Sequence, residues 1–211
     1  MITYFKNIKT LINTQPGLQL LRGEALSQMP LLHNAWLKAA NGYIESFGPM
    51  EQWQAGWEQD DGIRVVDCSG RLLMPAWVDS HTHLVFAAPR QAEFVLKIEG
   101  ASYAQIAAAG GGIHASARAV QQATEEELLQ IAWQRLQDLI GLGTGAIEIK
   151  SGYGLTPEAE LKMLRVIARL KARSPIPVKA TFLGAHAMPP AFAQNRQGYL
   201  QQIEQQMLPA I

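Results

Sequence analysis

A short apolar segment of this chain carries two histidines that are separated by one residue. The segment runs from Met74 to Phe86, and its histidines are His81 and His83. Successive side chains of a β-strand alternate between its two faces, so both imidazoles would point the same way, with Asp79 before them. Two imidazoles about 7 Å apart, from a strand rise of ~3.3 Å per residue, can bind one metal ion. A metal ion bound there would activate a water molecule, so the histidine pair indicates a hydrolase.

An isolated pair of this kind is also typical of two unrelated surface histidines. Three features favour the metal site. Val78 before the pair and Leu84 after it are apolar, which predicts a buried parallel strand. Pro75 provides a break at which that strand begins, and two of only five histidines in the chain are placed here.

Composition excludes several classes of partner. The chain has 211 residues, is 48% hydrophobic, and has 18 basic and 18 acidic side chains. Its formal net charge is zero, which predicts neither a nucleic-acid nor an anionic-membrane partner. No stretch reaches the ~18 apolar residues of a membrane span, and charges interrupt the apolar pattern of the first nine residues, unlike a secretory signal. The cytoplasm is the expected compartment.

The first 73 residues read as short strands and turns. Asn41-Gly42 predicts a tight hairpin within residues 36–47. Ser69-Gly70 predicts a second hairpin between strands at 63–67 and 71–73. Loops are expected at Gln15-Pro16-Gly17 and at Gln28-Met29-Pro30. Residues 1–73 are therefore interpreted as a segment of a small β-sandwich.

Residues 74–211 instead alternate strand, loop and helix. Thr124 and Glu127 form a capping box that begins a helix, with a stop at Gly141. Thr156 and Pro157 begin a second helix, which ends at Ser174-Pro175. Strands are predicted at 146–149 and 178–183, and a third helix at 196–208. The apolar stripes of the first two helices comprise Leu128, Ile131, Ala132, Leu136, Leu139 and Ile140, and Met163, Val166, Ile167 and Leu170.

This alternation predicts an α/β fold with parallel strands and right-handed crossovers. A doubly wound sheet and a (β/α)₈ barrel both fit, although no Gly-x-Gly-x-x-Gly follows the first strand. Polar residues gather after each predicted strand, where a barrel has its active site. They are His83 and Arg90 after the first, Lys150, Ser151 and Tyr153 after the second, and His186 after the third.

These motifs resemble the imidazolonepropionases, metal-dependent hydrolases of the amidohydrolase superfamily. The resemblance covers residues 74 to about 192 strongly and the first 73 loosely. Its most specific elements are Glu-Ile-Lys-Ser-Gly-Tyr-Gly-Leu at 148–155 and Phe-Leu-Gly-Ala-His at 182–186. The other matching segments are 79–86 with Arg90, 100–103, 110–113 and 160–165.

The resemblance implies a β-sandwich joined to a TIM-like barrel that holds one divalent or trivalent metal ion, zinc or iron. By resemblance, His81 and His83 would be metal ligands. Arg90, Tyr153 and His186 would contact the substrate, with Tyr103 as a weaker candidate. The implied reaction is hydrolysis of 4-imidazolone-5-propanoate to N-formimidoyl-L-glutamate in histidine degradation, with a homodimer allowed for the full-length enzyme.

The residue chemistry agrees with these roles. An arginine such as Arg90 can hold a propionate through two hydrogen bonds, and Tyr153 can donate to the same group. His186 can hydrogen-bond the ring or its developing oxyanion. Arg90 could instead be a solvated loop arginine, Tyr153 a packing residue in a Gly-rich turn, and His186 a core histidine at a strand end.

Other chemistry-bearing side chains are expected to have structural roles. Lys150 invites comparison with the carboxylated lysine of some superfamily members, but its position on the second strand favours a structural role. Cys68 is the only cysteine and is predicted to be an ordinary strand-end residue rather than a nucleophile. His33 and His114 are expected to be ordinary surface residues.

Only three strand–helix units follow residue 73, whereas a TIM barrel has eight. The family's remaining metal ligands and its general base are therefore expected beyond residue 211, so that no catalytic base is assigned here. The chain is interpreted either as the N-terminal part of a working hydrolase or as a non-catalytic fragment. A different cyclic-amide hydrolase is the alternative enzyme.

Overall fold

The computed structural model describes residues 1–15, 20–59 and 62–211. The chain divides into two compact units, Met1–Pro75 and Ala76–Ile211, and each is described by itself. Pro16 and Gly17 of the first predicted loop lie outside the described residues. In the described part, no helix is both long and apolar enough to cross a membrane.

The first unit is built on a five-stranded sheet with the order β3-β2-β1-β4, in which β5 also pairs with β1. The predicted hairpin is confirmed: β2 and β3 are antiparallel, and Asn41 and Gly42 take the positive φ angles of 53° and 85° that a tight turn requires. The strands are β1 (Ile2–Ile12), β2 (Leu31–Ala40), β3 (Tyr43–Pro49), β4 (Ile63–Asp67) and β5 (Leu72–Leu73). Short 3₁₀ helices span Gly23–Gln28, Met50–Gln52 and Ala55–Glu58.

The second predicted hairpin is wrong. β4 and β5 do not pair with each other, because both run parallel to β1 along the same edge. Asp67 accepts hydrogen bonds from the backbone N–H and hydroxyl of Ser69, at 2.9 and 2.6 Å. This local turn, completed by Gly70 at φ +74°, displaces the chain without reversing it. The described strands of this unit form a single sheet.

This unit has a small apolar core. It is formed by Ile8, Leu11, Ala35, Leu37 and Cys68. Burial raises the pKa of the Cys68 thiol, which keeps it in the unreactive neutral form. Its position directly after β4 agrees with the structural role expected for it.

The second unit contains a parallel sheet with the order β6-β7-β8, covered by helices. Its strands are β6 (Trp77–Thr82), β7 (Thr144–Lys150) and β8 (Val178–Thr181). Its helices are α1 (Gln91–Ile98), α2 (Tyr103–Ala108), α3 (Gly112–Gln122), α4 (Glu125–Gly141), α5 (Pro157–Arg173) and α6 (Arg196–Gln202). A π-helical turn, Ile203–Met207, and a 3₁₀ turn, Leu208–Ala210, continue α6. The chain is thus a mixed α/β protein, as predicted.

The two helix starts predicted from capping residues are confirmed. Thr124 and Glu127 form both hydrogen bonds of the capping box of α4, and Thr156 caps α5 with Pro157 in its first turn. The end of α4 differs slightly from the prediction. Gly141 is still helical, and Gly143, at φ +99°, takes the left-handed conformation that ends the helix. Helices α1 to α3, between β6 and α4, were not predicted.

The expected burial of the first strand is wrong at its start, although Leu84 and Val85 directly after it are buried. Trp77 and Val78 of β6 are 61% and 72% exposed. β6 lies at the edge of the described sheet and pairs with β7 alone among the described strands, so one side of it has no cover. The core lies instead on the helical side of β7, where Ile147 and Ile149 pack against Leu136 and Met163.

Candidate active site

Three aromatic rings are stacked beyond the ends of the parallel strands. The ring of His83 lies between those of Tyr153 and His186, with centroid distances of 4.5 and 4.7 Å. The interplanar angles are 10° and 25°, so both pairs are face to face. Three residues that are more than 30 positions apart in sequence are therefore in direct contact, as the strand-end pattern predicted.

The parallel sheet explains this convergence. β6, β7 and β8 end at Thr82, Lys150 and Thr181, and His83, Tyr153 and His186 follow these ends at one edge of the sheet. Hydrogen bonds join the strand ends: the Thr82 hydroxyl donates to the Glu148 carbonyl at 2.7 Å. The Ser151 N–H donates to the Thr181 carbonyl at 3.0 Å. These two hydrogen bonds join the ends of neighbouring strands, at the points where the loops begin.

His81 and His83 are close enough to act on a common ligand. Their ring centroids are 5.8 Å apart. His81 is exposed, whereas His83 is half-buried and its buried Nδ1 has no hydrogen-bond partner in the described residues. A buried ring nitrogen without a partner suits a metal ligand. Across residues 1–15, 20–59 and 62–211, no group of three or more His, Cys, Asp or Glu side chains could hold a metal ion.

The surroundings of His83 favour the neutral imidazole that a metal requires. Burial, and then the neighbouring His186, His81 and Lys150, lower the pKa of His83 to about 4. Lys150 itself is paired with Glu148 at 2.6 Å. Burial acts to raise the pKa of Glu148, but hydrogen bonds from Lys150 and Thr181 outweigh burial and lower it. This ion pair agrees with the structural role expected for Lys150.

In the metal-free chain, we expect His83 to titrate near pH 4 rather than at its ordinary value of 6.5. Its contribution to stability is then complete above pH 6.5, where the imidazole is neutral in both states. It is lost as the pH falls from 6.5 to 4, because the unfolded chain takes up the proton first. NMR titration of the imidazole C–H protons measures the pKa directly. A His83→Phe variant should lack this part of the pH dependence of unfolding, and an unshifted pKa would contradict the expectation.

Arg90 borders the same cavity as the ring stack. A cavity of about 210 Å³ is lined by His83, Phe86, Arg90, Ser116 and Tyr153, among others. Arg90 is exposed, and its guanidinium lies 3.5 Å from a carboxylate oxygen of Glu93. The cavity therefore offers a cation and a phenol next to His83, which suits a small anionic ligand.

Tyr103 does not join this group. Its side chain is 60% exposed, and its hydroxyl lies beside Gly112 at the start of α3, within 3.3 Å of the position a Cβ there would occupy. It is absent from the residues that line the His83 cavity.

The two remaining histidines differ from each other. His33 is exposed and its ring Nδ1 is 3.1 Å from the Thr10 hydroxyl, in agreement with a surface role. His114 is half-buried, with a buried Nδ1 that has no partner in the described residues. It borders a separate cavity beside Leu155 and Pro189. His114 is therefore less exposed than expected.

Each loop of the site is held by a polar side chain from a later helix. The three residues, Arg135, Glu160 and Tyr199, were not predicted from the sequence to have a role. Arg135 of α4 donates to the carbonyls of Leu84 and Phe86, at 3.1 and 2.6 Å. Tyr199 of α6 donates to the Gly184 carbonyl at 2.6 Å. Burial, and then the nearby charge of Glu160, raise the pKa of Tyr199 to about 12.

The third such residue is Glu160 of α5, whose carboxylate accepts three backbone N–H groups of the loop after β7. A signal for Glu160 and Arg135 was present in the sequence. Glu160 stands one helical turn before Met163, on the apolar stripe of α5, and Arg135 stands beside Leu136 in the stripe of α4. A charged residue at a core position is informative because it must find buried partners.

Comparison with known proteins identifies relatives along the whole chain. No protein-family model matches. The imidazolonepropionase of Flavobacterium johnsoniae is 45% identical over 212 residues, which cover 100% of this chain and 51% of that protein. The imidazolonepropionase of Pseudomonas aeruginosa is 48% identical over 167 residues, or 78% of this chain and 42% of that protein. The chain spans about half the length of the curated relatives it matches.

Solved structures of similar fold are hydrolytic enzymes of low sequence identity. Guanine deaminase of E. coli superposes with a TM-score of 0.54 at 16% identity, covering 97% of this chain and 42% of that protein. A triazine hydrolase variant superposes with a TM-score of 0.56 at 14% identity and the same coverage. At this identity the likeness concerns the fold alone.

Proposed function

We propose, from the premise that this chain is a relative of the imidazolonepropionases, that it belongs to a hydrolase that opens the cyclic amide of 4-imidazolone-5-propanoate. The product is N-formimidoyl-L-glutamate, in histidine degradation. The observation that carries the proposal is the stack of His83 between Tyr153 and His186, beside His81 and next to the cavity of Arg90. The relatives are 40–48% identical to this chain.

The proposal extends to the architecture. Strands β6 to β8 and their helices are taken as the first units of a TIM-like (β/α) barrel, within a domain of residues 74–211. Residues 1–73 are taken as part of a small β-sandwich. The parallel order β6-β7-β8 supports the first assignment, and the exposed edge of β6 is the side on which a further barrel strand would pair.

His81 and His83 are proposed as metal ligands. The unpartnered Nδ1 of His83 and its lowered pKa support this assignment, since both leave a lone pair free at neutral pH. Zinc or iron would supply a water of lowered pKa and polarise the ring carbonyl. A solved structure of similar fold, an atrazine chlorohydrolase with a TM-score of 0.52, is complexed with zinc. The general base is not assigned to a residue of this chain.

The remaining candidates are assigned to the substrate. The Arg90 guanidinium holds the propionate in a charge-assisted pair, and the Tyr153 hydroxyl donates to the same group. His186 hydrogen-bonds the imidazolone ring or its developing oxyanion. Tyr103 is a weaker candidate, since it lies away from the cavity. We further propose a cytoplasmic protein without nucleic-acid or membrane partners, whose full-length form is compatible with a homodimer.

Replacing Arg90 with methionine is expected to raise KM for 4-imidazolone-5-propanoate about 10- to 100-fold, the effect of losing a hydrogen bond between charged groups. kcat should change less, because the propionate is remote from the reacting carbonyl. Steady-state kinetics with the propionate substrate and with unsubstituted imidazolone separates the two effects. Lys97→Met, an exposed cation of α1, is the matched control. An equal loss on both substrates would contradict the assigned role.

The proposed function is tested with the purified protein that carries this chain. Turnover of 4-imidazolone-5-propanoate is compared with that of hydantoin and dihydroorotate, before and after chelation. Preference for the first substrate, lost on chelation, is expected. Preference for another cyclic amide would assign a different hydrolase. The 211-residue chain alone is expected to show no turnover, because its described residues supply no three-ligand group.

A further inference from the structure

Glu160 is a completely buried carboxylate in the first turn of α5. Its side chain is 0% exposed, and it stands on the helical face that also carries Met163 and Ile167. Burying a charge is unfavourable unless its oxygens accept hydrogen bonds. Here Oε2 accepts the Gly152 N–H at 2.9 Å, and Oε1 accepts the Gly154 and Leu155 N–H groups at 2.7 and 3.0 Å.

The loop that donates these hydrogen bonds has an unusual backbone. Gly152 is at φ +108°, and Leu155 is at φ +57°, which is uncommon for a residue with a side chain. A Cβ at Gly154 would collide with the backbone of Glu160, so this glycine permits the close approach. The N–H groups of the loop thus converge on one anion, in the manner of an anion-binding nest whose anion is the protein's own carboxylate.

Tyr153 lies between two residues that Glu160 holds. Its neighbours Gly152 and Gly154 each donate to the carboxylate, and its own ring is stacked on that of His83. Gly152 also packs against His186: a Cβ at this glycine would lie 3.0 Å from the His186 Cβ. The loop that donates to Glu160 therefore carries one outer ring of the stack and packs against the residue that carries the other.

We propose that Glu160 is a positioning residue that sets the Tyr153 ring against His83 by holding the loop on both sides of Tyr153. It does not contact the cavity of Arg90, and it acts through the backbone of the loop. Its effect on turnover rests on the proposed function, whereas its effect on the loop does not. A role in stability alone would leave the stack unchanged whenever the chain is folded.

The first test needs no substitution. Hydrogen exchange of the full chain, followed by NMR, reports the protection of the Gly152, Gly154 and Leu155 amides. All three should exchange at least about tenfold more slowly than amides of exposed turns such as Gly42 and Gly70, as expected for hydrogen bonds to a charged acceptor. Exchange as fast as in those turns would overturn the proposal.

The second test is Glu160→Gln. One oxygen can still accept two of the donors, but the amide NH₂ then faces the third N–H and repels it. If the oxygen keeps the Gly154 and Leu155 donors, Gly152 is released and its exchange accelerates at least about tenfold. Glu158→Gln is the matched control, since Glu158 is an exposed carboxylate in the same turn of α5.

The ring stack supplies an independent signature. The Tyr153 ring shifts the NMR resonances of the His83 ring protons, and a Tyr153→Leu variant defines their position without it. In folded E160Q these resonances should move towards the Y153L position, while E158Q leaves them unchanged. A folded E160Q with wild-type ring shifts and wild-type Gly152 exchange would overturn the proposal. If E160Q fails to fold, the exchange rates of the unsubstituted chain decide.

Kinetics then separate this inference from the proposed function. In the protein that turns over 4-imidazolone-5-propanoate, E160Q should raise KM more than it lowers kcat, as Tyr153→Phe would. The double variant E160Q/Y153F should have a kcat/KM no lower than that of the more impaired single variant, because both changes remove the same contact of the Tyr153 hydroxyl with the substrate. Additive losses would overturn the catalytic role. Absence of turnover in the unsubstituted protein would contradict the proposed function. The amide exchange rates and the NMR shifts of the His83 ring protons would still test the role of Glu160.

Discussion

On the proposed function, a His83→Ala variant of the protein that carries this chain should lose its metal ion and, with it, hydrolysis of 4-imidazolone-5-propanoate. His83 brings a neutral imidazole to the site at pH 7, because burial and neighbouring positive charge hold its pKa near 4. Loss of an outer hydrogen-bond partner of a metal ligand already weakens metal affinity about 10- to 100-fold, and removal of the ligand itself should exceed this. Metal content by atomic absorption and activity should fall together.

Two further variants separate coordination from packing. His83→Phe keeps an aromatic ring between Tyr153 and His186 and should preserve the stack while losing the metal. His33→Ala changes an exposed histidine of the other unit and should alter neither property. Full metal content in either His83 variant would show that this imidazole is not a ligand.

Replacement of Arg135 with methionine should destabilise the second unit by about 2–6 kcal/mol. The guanidinium donates to the carbonyls of Leu84 and Phe86 and lies over the Phe86 ring, with Cζ 3.4 Å from the ring centroid. Methionine keeps the apolar stem but leaves two partly buried carbonyls without a donor, at about 1–3 kcal/mol each. Denaturant unfolding measures the loss. The loop that follows His83 should also become more mobile.

Arg173→Met is the matched control for this prediction. Arg173 also lies over an aromatic ring, that of Trp133 at 4.0 Å, but it is exposed. An exposed cation–π contact contributes only about 0.5–1 kcal/mol. Equal losses for the two variants would mean that the carbonyl contacts of Arg135 contribute little.

Local sequence signals predicted those parts of the fold that local physics controls. The capping residues Thr124 and Thr156 mark helix starts, because a side-chain oxygen next to the first free N–H groups acts within a few residues. Asn41-Gly42 marks a hairpin for an equally local reason. Ser69-Gly70 failed as a hairpin signal, because a turn residue specifies a bend but not the strand with which the next segment pairs.

In the candidate site, too, local sequence signals predicted some features, and contacts distant in sequence determined the others. His81 and His83 were recognised from their spacing, and Tyr153 and His186 from their places after predicted strands, since parallel strands deliver their carboxyl ends to one edge. The sequence did not indicate that His83 would lie between the two other rings, nor that Tyr103 would lie elsewhere. These contacts depend on loop conformations that residues far away in sequence control.

By itself, the sequence determined the α/β pattern, the histidine pair and the family resemblance, because each depends on residue types at short spacing. Only the tertiary structure decided that Arg135, Glu160 and Tyr199 hold the three loops of the site. A buried polar side chain is stable only where distant backbone groups complete its hydrogen bonds, and those partners exist only in the folded chain.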